Sequence, residues 1–199
     1  MNKKEWLDYL YYKVGKQNFD FFICGLKLLP DGNVFATKWK RYSEVCFPLN
    51  PWESDRIDWV NQRQIFPNEL VLDIEEPEKL NPIIDRLKIE NIPFECYSTG
   101  SRGFHIHLIF KKELDKTEKL FYIKEFGVDE QKAYSKTMIA LENCPHWKTG
   151  KLKTKLTGEQ IEIINKKFQK QMGFVLNKKP KEITEEQAVK EWREKNGRN

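Results

Sequence analysis

Apolar positions recur along the chain with two periods, one typical of helices and one typical of strands. Helical spacing predicts helices over residues 3–14, 52–64, 77–91, 115–126 and 130–137. Runs rich in apolar and β-branched residues predict strands over residues 20–27, 33–39, 69–75, 93–99, 103–110 and 138–142. A Pro30-Asp31-Gly32 turn joins the first two strands. Most links between strands are of hairpin length, so the pattern predicts an α+β fold with an antiparallel central sheet.

Two capping-box sequences mark the beginnings of further helices near the C-terminus. Thr157-Gly158-Glu159-Gln160 precedes an apolar stripe at helical spacing, and Thr184-Glu185-Glu186-Gln187 precedes a last helix. In each box the threonine and the residue three positions later satisfy the first backbone N–H groups of the helix. The segment from residue 157 onward is therefore predicted to be a helical extension.

The composition is that of a folded chain with a heavily charged surface. Apolar residues make up 39% and aromatic residues 13%, which excludes a wholly disordered protein. Charged residues reach 33%, and no run approaches the roughly 18 apolar residues that a membrane span needs. The first residues are charged, unlike those of a secretory signal. We therefore expect a soluble, cytoplasmic protein with no membrane partner.

The four cysteines do not form a zinc-binding pattern. Cys24, Cys46, Cys96 and Cys144 lie twenty or more residues apart. A zinc knuckle or ribbon brings two ligands within about two to four positions of each other. We therefore expect reduced thiols that are mostly buried.

Positive charge is concentrated near the C-terminus. Residues 148–181 contain ten lysines and two glutamates, for a net charge of +8, whereas the whole chain carries +5. The remaining residues therefore sum to −3. A basic stretch beside a mildly acidic remainder favours a polyanionic partner, although a lysine-rich run is also typical of a solvated surface.

A pair of carboxylates follows the strand pattern of Leu70-Val71-Leu72-Asp73-Ile74-Glu75. In a strand, Asp73 and Glu75 face the side opposite Leu70, Leu72 and Ile74. Two carboxylates on one face repel each other unless a cation lies between them, and Mg²⁺ prefers such oxygen ligands. The motif thus indicates a metal site, with a solvated strand edge as the alternative.

Two further segments are suited to binding phosphate. In Ser98-Thr99-Gly100-Ser101-Arg102-Gly103-Phe104-His105-Ile106-His107, the glycines allow close backbone approach, and Ser101 and Arg102 can donate to phosphate oxygens. His105 and His107 share the strand face opposite Phe104. The second segment, Cys144-Pro145-His146-Trp147-Lys148-Thr149-Gly150-Lys151, combines a histidine, a turn and lysines. The alternatives are a polar strand face and a basic hairpin turn.

Taken in this order, the three segments resemble the archaeo-eukaryotic primase superfamily, which includes the small catalytic subunit of DNA primase and the primase-polymerases. The resemblance covers roughly residues 69–151 and includes the metal-binding strand, the motif ending in His105 and the His-x-Lys-Thr-Gly segment at His146. Glu75 stands where cellular primase subunits have a second aspartate, and Ala140 lies near the position of a family lysine. A zinc-binding insertion is missing.

The resemblance implies a role for each candidate residue. Asp73, Glu75 and Asp129 would be catalytic and would hold two Mg²⁺ or Mn²⁺ ions. Nucleotide phosphates would be bound by the remaining candidates: Ser101, Arg102, His105, His146 and Lys148. Glu142 competes with Asp129 for the position of the third carboxylate, and the spacing to Lys148 favours Asp129.

The resemblance also implies the architecture and the partners. The expected fold is a two-lobed primase-type catalytic core over residues 1–156, with lobes at about 1–68 and 69–156, the second built on a sheet resembling an RNA-recognition module. Residues 157–199, which the resemblance does not cover, are predicted from their own sequence to form a helical, basic C-terminal extension. The implied partners are a single-stranded DNA template with its primer, nucleoside triphosphates, and a large-subunit or helicase partner. The stretch 148–181 would follow the template.

Two other functions compete with this interpretation. His105-Ile106-His107 is a His-hydrophobic-His triplet of the kind that HUH-type rolling-circle endonucleases use for their metal, with Tyr122 or Tyr134 as the nucleophile. Neither tyrosine lies in the Tyr-x-x-Lys pattern common in that class. The other alternative is a non-catalytic nucleic-acid-binding protein, for which Asp73 and Glu75 would be dispensable.

Overall fold

The computed structural model describes residues 3–15, 21–36, 39–42, 60–134 and 137–176. The chain divides into two compact units, Met1–Gly158 and Glu159–Asn199. The helix predicted after Thr184, the lysines at 178–181, Cys46 and most of the helix predicted over 52–64 lie outside the described residues.

The first sheet carries the segments singled out in the sequence. It consists of β6 (Glu69–Ile74), β7 (Glu95–Ser98), β8 (Phe104–Ile109) and β10 (Thr154–Lys155), in the order β10-β7-β8-β6. All of its pairings are antiparallel, and Asp73 pairs with His105. Leu70, Leu72 and Ile106 on the opposite face are fully buried. The alternation of the two faces is the one predicted from the sequence.

Helices complete this part of the chain. A short 3-10 helix, Pro77–Lys79, leads into α2 (Leu80–Ile89), which buries an apolar stripe. The next helix, α3 (Lys116–Phe126), contacts β6. Asp115 and Glu118 form a capping box at its beginning, and Gly127 ends it in the left-handed conformation.

The second sheet brings strands from the N-terminal part of the first unit together with strand β9. It contains β1 (Phe22–Cys24), β4 (Lys40–Arg41), β5 (Gln62–Gln64) and β9 (Met138–Ala140), in the order β4-β1-β5-β9. A separate hairpin pairs β2 (Leu26–Leu28) with β3 (Val34–Ala36). A cluster of buried residues from both sheets and their flanks packs Val71 against Ile65 and Ile139. The two sheets therefore share a core.

The N-terminal helix packs on the second sheet. Leu7 and Leu10 of α1 (Lys3–Gly15) belong to a buried cluster with Phe21, Ile23 and Phe66. In the second unit, α4 (Gly158–Leu176) begins directly after Thr157, where the sequence predicted a helix.

Most predicted elements are present, and the α+β fold with antiparallel sheets is confirmed. The predicted helix over 52–64 is wrong in its last residues, because Gln62–Gln64 is strand β5. Its side chains are polar, so the strand has no apolar alternation, and it is fixed by pairing with β1 and β9. Where the sequence predicts a helix over 130–137, the described residues contain the 3-10 helix Glu130–Ala133.

Two expectations from composition can be compared with the structure. Cys24, Cys96 and Cys144 are buried, reduced thiols, as expected. In the described part of the chain, no helix combines the length and the apolar character that crossing a membrane requires.

Candidate active site

The register of β6 and β8 brings Asp73 and His105 side by side. The two residues are direct partners across the antiparallel pair. Their side chains share a face because opposed residues in a sheet point the same way. Nε2 of His105 lies 3.4 Å from Oδ1 of Asp73. The strand alternation seen in the sequence thus produces a specific acid–imidazole contact.

The glycine-rich loop between β7 and β8 closes tightly against its neighbours. The Thr99 hydroxyl donates to the Gly103 carbonyl at 3.0 Å. A Cβ at Gly103 would lie 2.6 Å from the carbonyl oxygen of Ile74, and one at Gly100 would collide with the Lys151 carbonyl oxygen. Gly100 also has a φ of +77°. Only glycine lets the loop approach both segments this closely.

A turn after β9 docks on this loop. The backbone N–H groups of Lys148 and Thr149 donate to Nδ1 of His146 at 3.3 Å and 3.4 Å. The Thr149 hydroxyl donates to the Gly100 carbonyl at 2.6 Å. The loop and the turn were separate motifs in the sequence, and this bond joins them into one wall.

These elements surround a cleft of about 460 Å³, which we call the Asp73 cleft. Its volume lies within the range of small-molecule sites. The side chains that line it include carboxylates, cations, aromatic rings and neutral polar groups. They are Gln62, Asp73, Glu75, Ser101, Arg102, His105, Lys132, His146 and Trp147. Acidic and basic groups therefore share one cavity.

The cleft keeps Asp73 ionised and His105 neutral at neutral pH. Burial alone would raise the pKa of Asp73, but the hydrogen bond from His105 and the Lys132 charge hold it well below its ordinary value. Burial, with the nearby Lys153 charge, lowers the pKa of His105 to about 4 against the opposing effect of Asp73. The neutral imidazole can donate Nε2–H to Asp73. Its buried Nδ1 has no partner among the described residues.

A second cluster of charged side chains is buried next to the cleft. We call it the ionic network; its members are Arg63, Glu69, His107, Glu142 and Lys153, all at most 3% exposed. Arg63 donates to Glu69 at 2.8 Å and to Glu142 at 2.9 Å. Lys153 contacts Glu142 at 3.0 Å and His107 Nε2 at 3.1 Å, and it donates to the Ala140 carbonyl at 2.8 Å.

Three residues that the sequence made candidates for other contacts belong to the ionic network. Glu142, the competing third carboxylate, is paired with Arg63 and Lys153 and does not line the Asp73 cleft as the structure describes it. Lys153 belongs to the basic stretch 148–181, yet it is fully buried and cannot contact a template there. His107 shares the strand face of His105, but it belongs to the network.

Two solved structures resemble this fold over most of its length. One is the polymerase domain of Mycobacterium tuberculosis ligase D in complex with DNA, with a TM-score of 0.54, 12% identity and coverage of 82% of this chain and 83% of that one. The other is the primase-polymerase domain of cyanophage S-2L, with a TM-score of 0.52 and 14% identity. The match covers 82% of this chain and 96% of that one. The chain therefore shares its fold with these two polymerase domains. No protein-family model matches the sequence, and no curated protein does.

The predicted site residues fall into two groups. Six of the eight line the Asp73 cleft: Asp73, Glu75, Ser101, Arg102, His105 and His146. Asp129 caps the 3-10 helix Glu130–Ala133, accepting from the Gln131 N–H at 3.0 Å. It lines a neighbouring cleft of about 440 Å³ that Asp73 and Glu75 also line. Lys148 is exposed and lies outside the lining of the Asp73 cleft as described.

The contacts of His107 and the positions of the two tyrosines disagree with the endonuclease alternative. It needs His105 and His107 to share a metal ion. Nδ1 of His107 lies 2.6 Å from Glu69, and Nε2 lies 3.1 Å from Lys153, so protein groups occupy both ring nitrogens. Tyr122 and Tyr134 are exposed and do not line the Asp73 cleft in the described chain.

The sequence did not identify Lys132, Gln62 and Trp147 as parts of the cleft. Nζ of Lys132 lies 3.1 Å from Oδ2 of Asp73. Trp147 lies against His146, with ring centroids 5.6 Å apart. Trp147 adjoins a candidate histidine, which was an available signal. No local pattern distinguishes Lys132 from the other lysines, because its partner lies far away in the sequence.

The fit of a divalent cation rests on the carboxylates of the cleft. Among the described residues, no group of three or more His, Cys, Asp or Glu side chains is arranged to hold a metal ion. Mg²⁺, however, is commonly held by one or two carboxylates, with substrate phosphates and water as its other ligands. Asp73 and Glu75 line the same two cavities and meet that requirement. The donor set therefore fits an ion that arrives with a phosphate-bearing substrate.

Proposed function

We propose that the protein is a template-directed nucleotidyltransferase of the primase-polymerase type, which makes or extends primers from nucleoside triphosphates. One observation carries the proposal. The carboxylates of Asp73 and Glu75 line the same cleft as the phosphate-suited side chains of Ser101, Arg102 and His146. Nucleotidyl transfer needs anionic ligands for a metal ion beside cationic ligands for a triphosphate.

In this mechanism Asp73 and Glu75 would hold Mg²⁺ or Mn²⁺. When bound, the ion would lower the pKa of the primer 3′-hydroxyl group and neutralise charge on the triphosphate. Asp129 adds a carboxylate from the adjoining cleft, where it would serve a second ion. His105 donates Nε2–H to Asp73, so its role is to orient that carboxylate.

The remaining residues of the cleft act on the triphosphate. Arg102 offers a planar set of donors to the phosphates. The loop carrying Ser101 adds hydroxyl and backbone donors. His146 and Trp147 form the facing wall, and Lys148 extends the positive charge outward along the path proposed for the template. The template and primer are DNA in this proposal, and a large-subunit or helicase partner would deliver them.

The test is a primer-synthesis and primer-extension assay on single-stranded DNA. Reactions with separate pools of ribonucleotides and deoxyribonucleotides, each with Mg²⁺ or Mn²⁺, identify the sugar that is used. The wild-type protein should give template-dependent products. The Asp73→Asn/Glu75→Gln variant should lose at least about a hundredfold in rate, because it loses the metal ligands while keeping their size.

A matched control separates loss of ligands from loss of charge. The Glu78→Gln/Asp85→Asn variant makes the same chemical changes at two exposed positions that lie outside the Asp73 cleft. It should extend primers at the wild-type rate. A folded Asp73→Asn/Glu75→Gln variant with full activity would overturn the assignment. DNA binding without any product from the wild type would favour the non-catalytic alternative.

A further inference from the structure

Lys132 lies in the Asp73 cleft without a role in the proposed mechanism. Its side chain is 17% exposed, and its Nζ lies 3.1 Å from Oδ2 of Asp73. The residue belongs to the 3-10 helix Glu130–Ala133, which Asp129 caps and whose Ala133 is buried. The backbone of Lys132 is therefore held in place, while its four-carbon side chain retains rotational freedom.

Both carboxylate oxygens of Asp73 are engaged. Oδ1 faces Nε2 of His105, and Oδ2 faces the ammonium of Lys132. The ammonium of Lys132 therefore supplies a positive charge that balances Asp73. An ammonium group and a divalent cation repel each other, so they cannot both lie against Oδ2.

We propose that Lys132 exchanges between two anionic partners. Without a divalent cation its ammonium pairs with Asp73, and when a cation takes that carboxylate it pairs with the triphosphate of the bound nucleotide. This inference rests on the proposed function. It deepens that function by making Lys132 a nucleotide-binding residue whose availability depends on the cation.

The charges of the cleft support the exchange. Asp73 and Glu75 together carry the charge of one divalent cation, so the ion leaves Lys132 without a counter-charge. Lys132 lines the same cavity as Ser101 and Arg102, where the triphosphate is proposed to lie. Moving the ammonium there places a positive charge beside phosphate instead of beside a metal ion.

The exchange predicts opposite effects on two affinities in one variant. Lys132→Gln removes the competitor for Asp73, so Mn²⁺ should bind about fivefold more tightly in the absence of nucleotide, the equivalent of about 1 kcal/mol. The same variant should bind a triphosphate about tenfold more weakly at saturating Mn²⁺, because a phosphate contact is lost. A structural role would weaken both affinities together.

The experiment measures both affinities on purified full-length chains. Free Mn²⁺ is followed by electron paramagnetic resonance with no nucleotide present, and binding of a non-hydrolysable deoxynucleoside triphosphate is followed by calorimetry. Lys124→Gln is the matched control, since it removes the same charge from an exposed side chain that pairs at 3.7 Å with Glu130 of the same 3-10 helix. It should leave both affinities within twofold of the wild type.

A second substitution keeps the test decisive if Lys132→Gln does not fold. Lys132→Arg strengthens pairing with a carboxylate, so it should weaken Mn²⁺ binding and give the affinity order Gln, Lys, Arg. If Mn²⁺ binding is lost in Asp73→Asn but its affinity is the same in both variants of residue 132 as in the wild type, this inference is overturned and the proposed function stands. If the wild-type protein binds no Mn²⁺, or if Asp73→Asn does not abolish the binding, the proposed function and the inference are both overturned.

Discussion

His105 meets a different environment at each of its ring nitrogens. Nε2 faces the Asp73 carboxylate, whereas the buried Nδ1 has no partner in the described chain. Burial and the positive charge of Lys153 favour the neutral ring more than Asp73 favours the charged one. Protonating His105 in the folded protein is therefore unfavourable, and this has a measurable effect on stability.

Stability should fall as the pH drops below about 6.5. The pKa of His105 is about 4 in the folded protein, against an ordinary value of 6.5 for histidine, so the unfolded chain binds the extra proton first. The stabilising contribution is complete above pH 6.5 and decreases by about 3 kcal/mol by pH 4. His105→Asn should flatten the pH dependence of the free energy of unfolding measured in urea at pH 7.0, 5.5 and 4.5.

Other groups near His105 must be separated from this effect. Burial also lowers the pKa of His107, which adds to the same loss of stability in both proteins. The ionisation of Asp73 matters only at lower pH, because its pKa is held well below its usual value. The difference between wild type and variant therefore isolates His105. Parallel curves for the two proteins would contradict the assignment of a neutral, buried imidazole.

At the scale of elements, the cleft depends on the contact between the loop 99–103 and the turn 146–150. Gly100 makes this contact possible, because its φ is +77° and its backbone lies against Lys151. Gly150 has a similar φ of +70°, but no atom lies within 4 Å of the position of a Cβ there. Both positions therefore require a left-handed backbone, but only Gly100 is also closely packed against another segment.

Alanine substitution should distinguish these two glycines. Gly150→Ala introduces only left-handed strain, which costs about 1–2 kcal/mol. Gly100→Ala adds a backbone collision and should cost more, and it should weaken triphosphate binding by moving the loop away from the turn. Urea unfolding measures the first quantity and calorimetry the second. Equal effects of the two substitutions on triphosphate binding would show that the contact does not shape the cleft.

The elements differ in how far the sequence could predict them. Strands β6 and β8 were predictable because their alternation is local, and this alternation also placed Asp73 and His105 on one face. Strand β5 was not, because Arg63 is buried through an ion pair with Glu142, which lies 79 residues away in the sequence. The pairing of Lys132 with Asp73 likewise depends on the assembled fold. Local patterns carry no information about such partners.

At the scale of the whole first unit, the ionic network connects the two sheets. Arg63 lies on β5 of the second sheet, and Glu69 and His107 lie on β6 and β8 of the first. Arg63 and Lys153 balance the charges of Glu69 and Glu142, while the low pKa of buried His107 keeps its ring neutral. The network is therefore neutral as a unit, although each ion pair costs desolvation.

Removing one charge from this network should be more harmful than removing two opposite charges. Lys153→Met or Glu142→Gln leaves an unbalanced buried charge and should cost about 3–5 kcal/mol in urea unfolding. The double variant leaves Arg63 balanced by Glu69, so its cost should be well below the sum of the single costs. If the cost of the double variant equalled the sum of the two single costs, the charge balance assigned to the ionic network would be wrong.

An exposed pair on the first sheet provides the control for this cycle. Lys155 and Glu95 lie 2.9 Å apart, with side chains 57% and 38% exposed. Lys155→Met and Glu95→Gln should each cost about 1 kcal/mol or less, because solvent screens the pair. The contrast measures the effect of burial on the same chemical change.

The ionic network also affects the order in which the chain can fold. Arg63 and Glu142 are separated by 79 residues, so their contact requires closure of a long segment of unfolded chain. Strands β7 and β8 are joined by the short loop 99–103 and can pair as a hairpin earlier. Charges that lose water before their partners arrive are strongly unfavourable. We therefore expect the two sheets to join late in folding, so that Gln62 of the second sheet reaches the Asp73 cleft only in that last step.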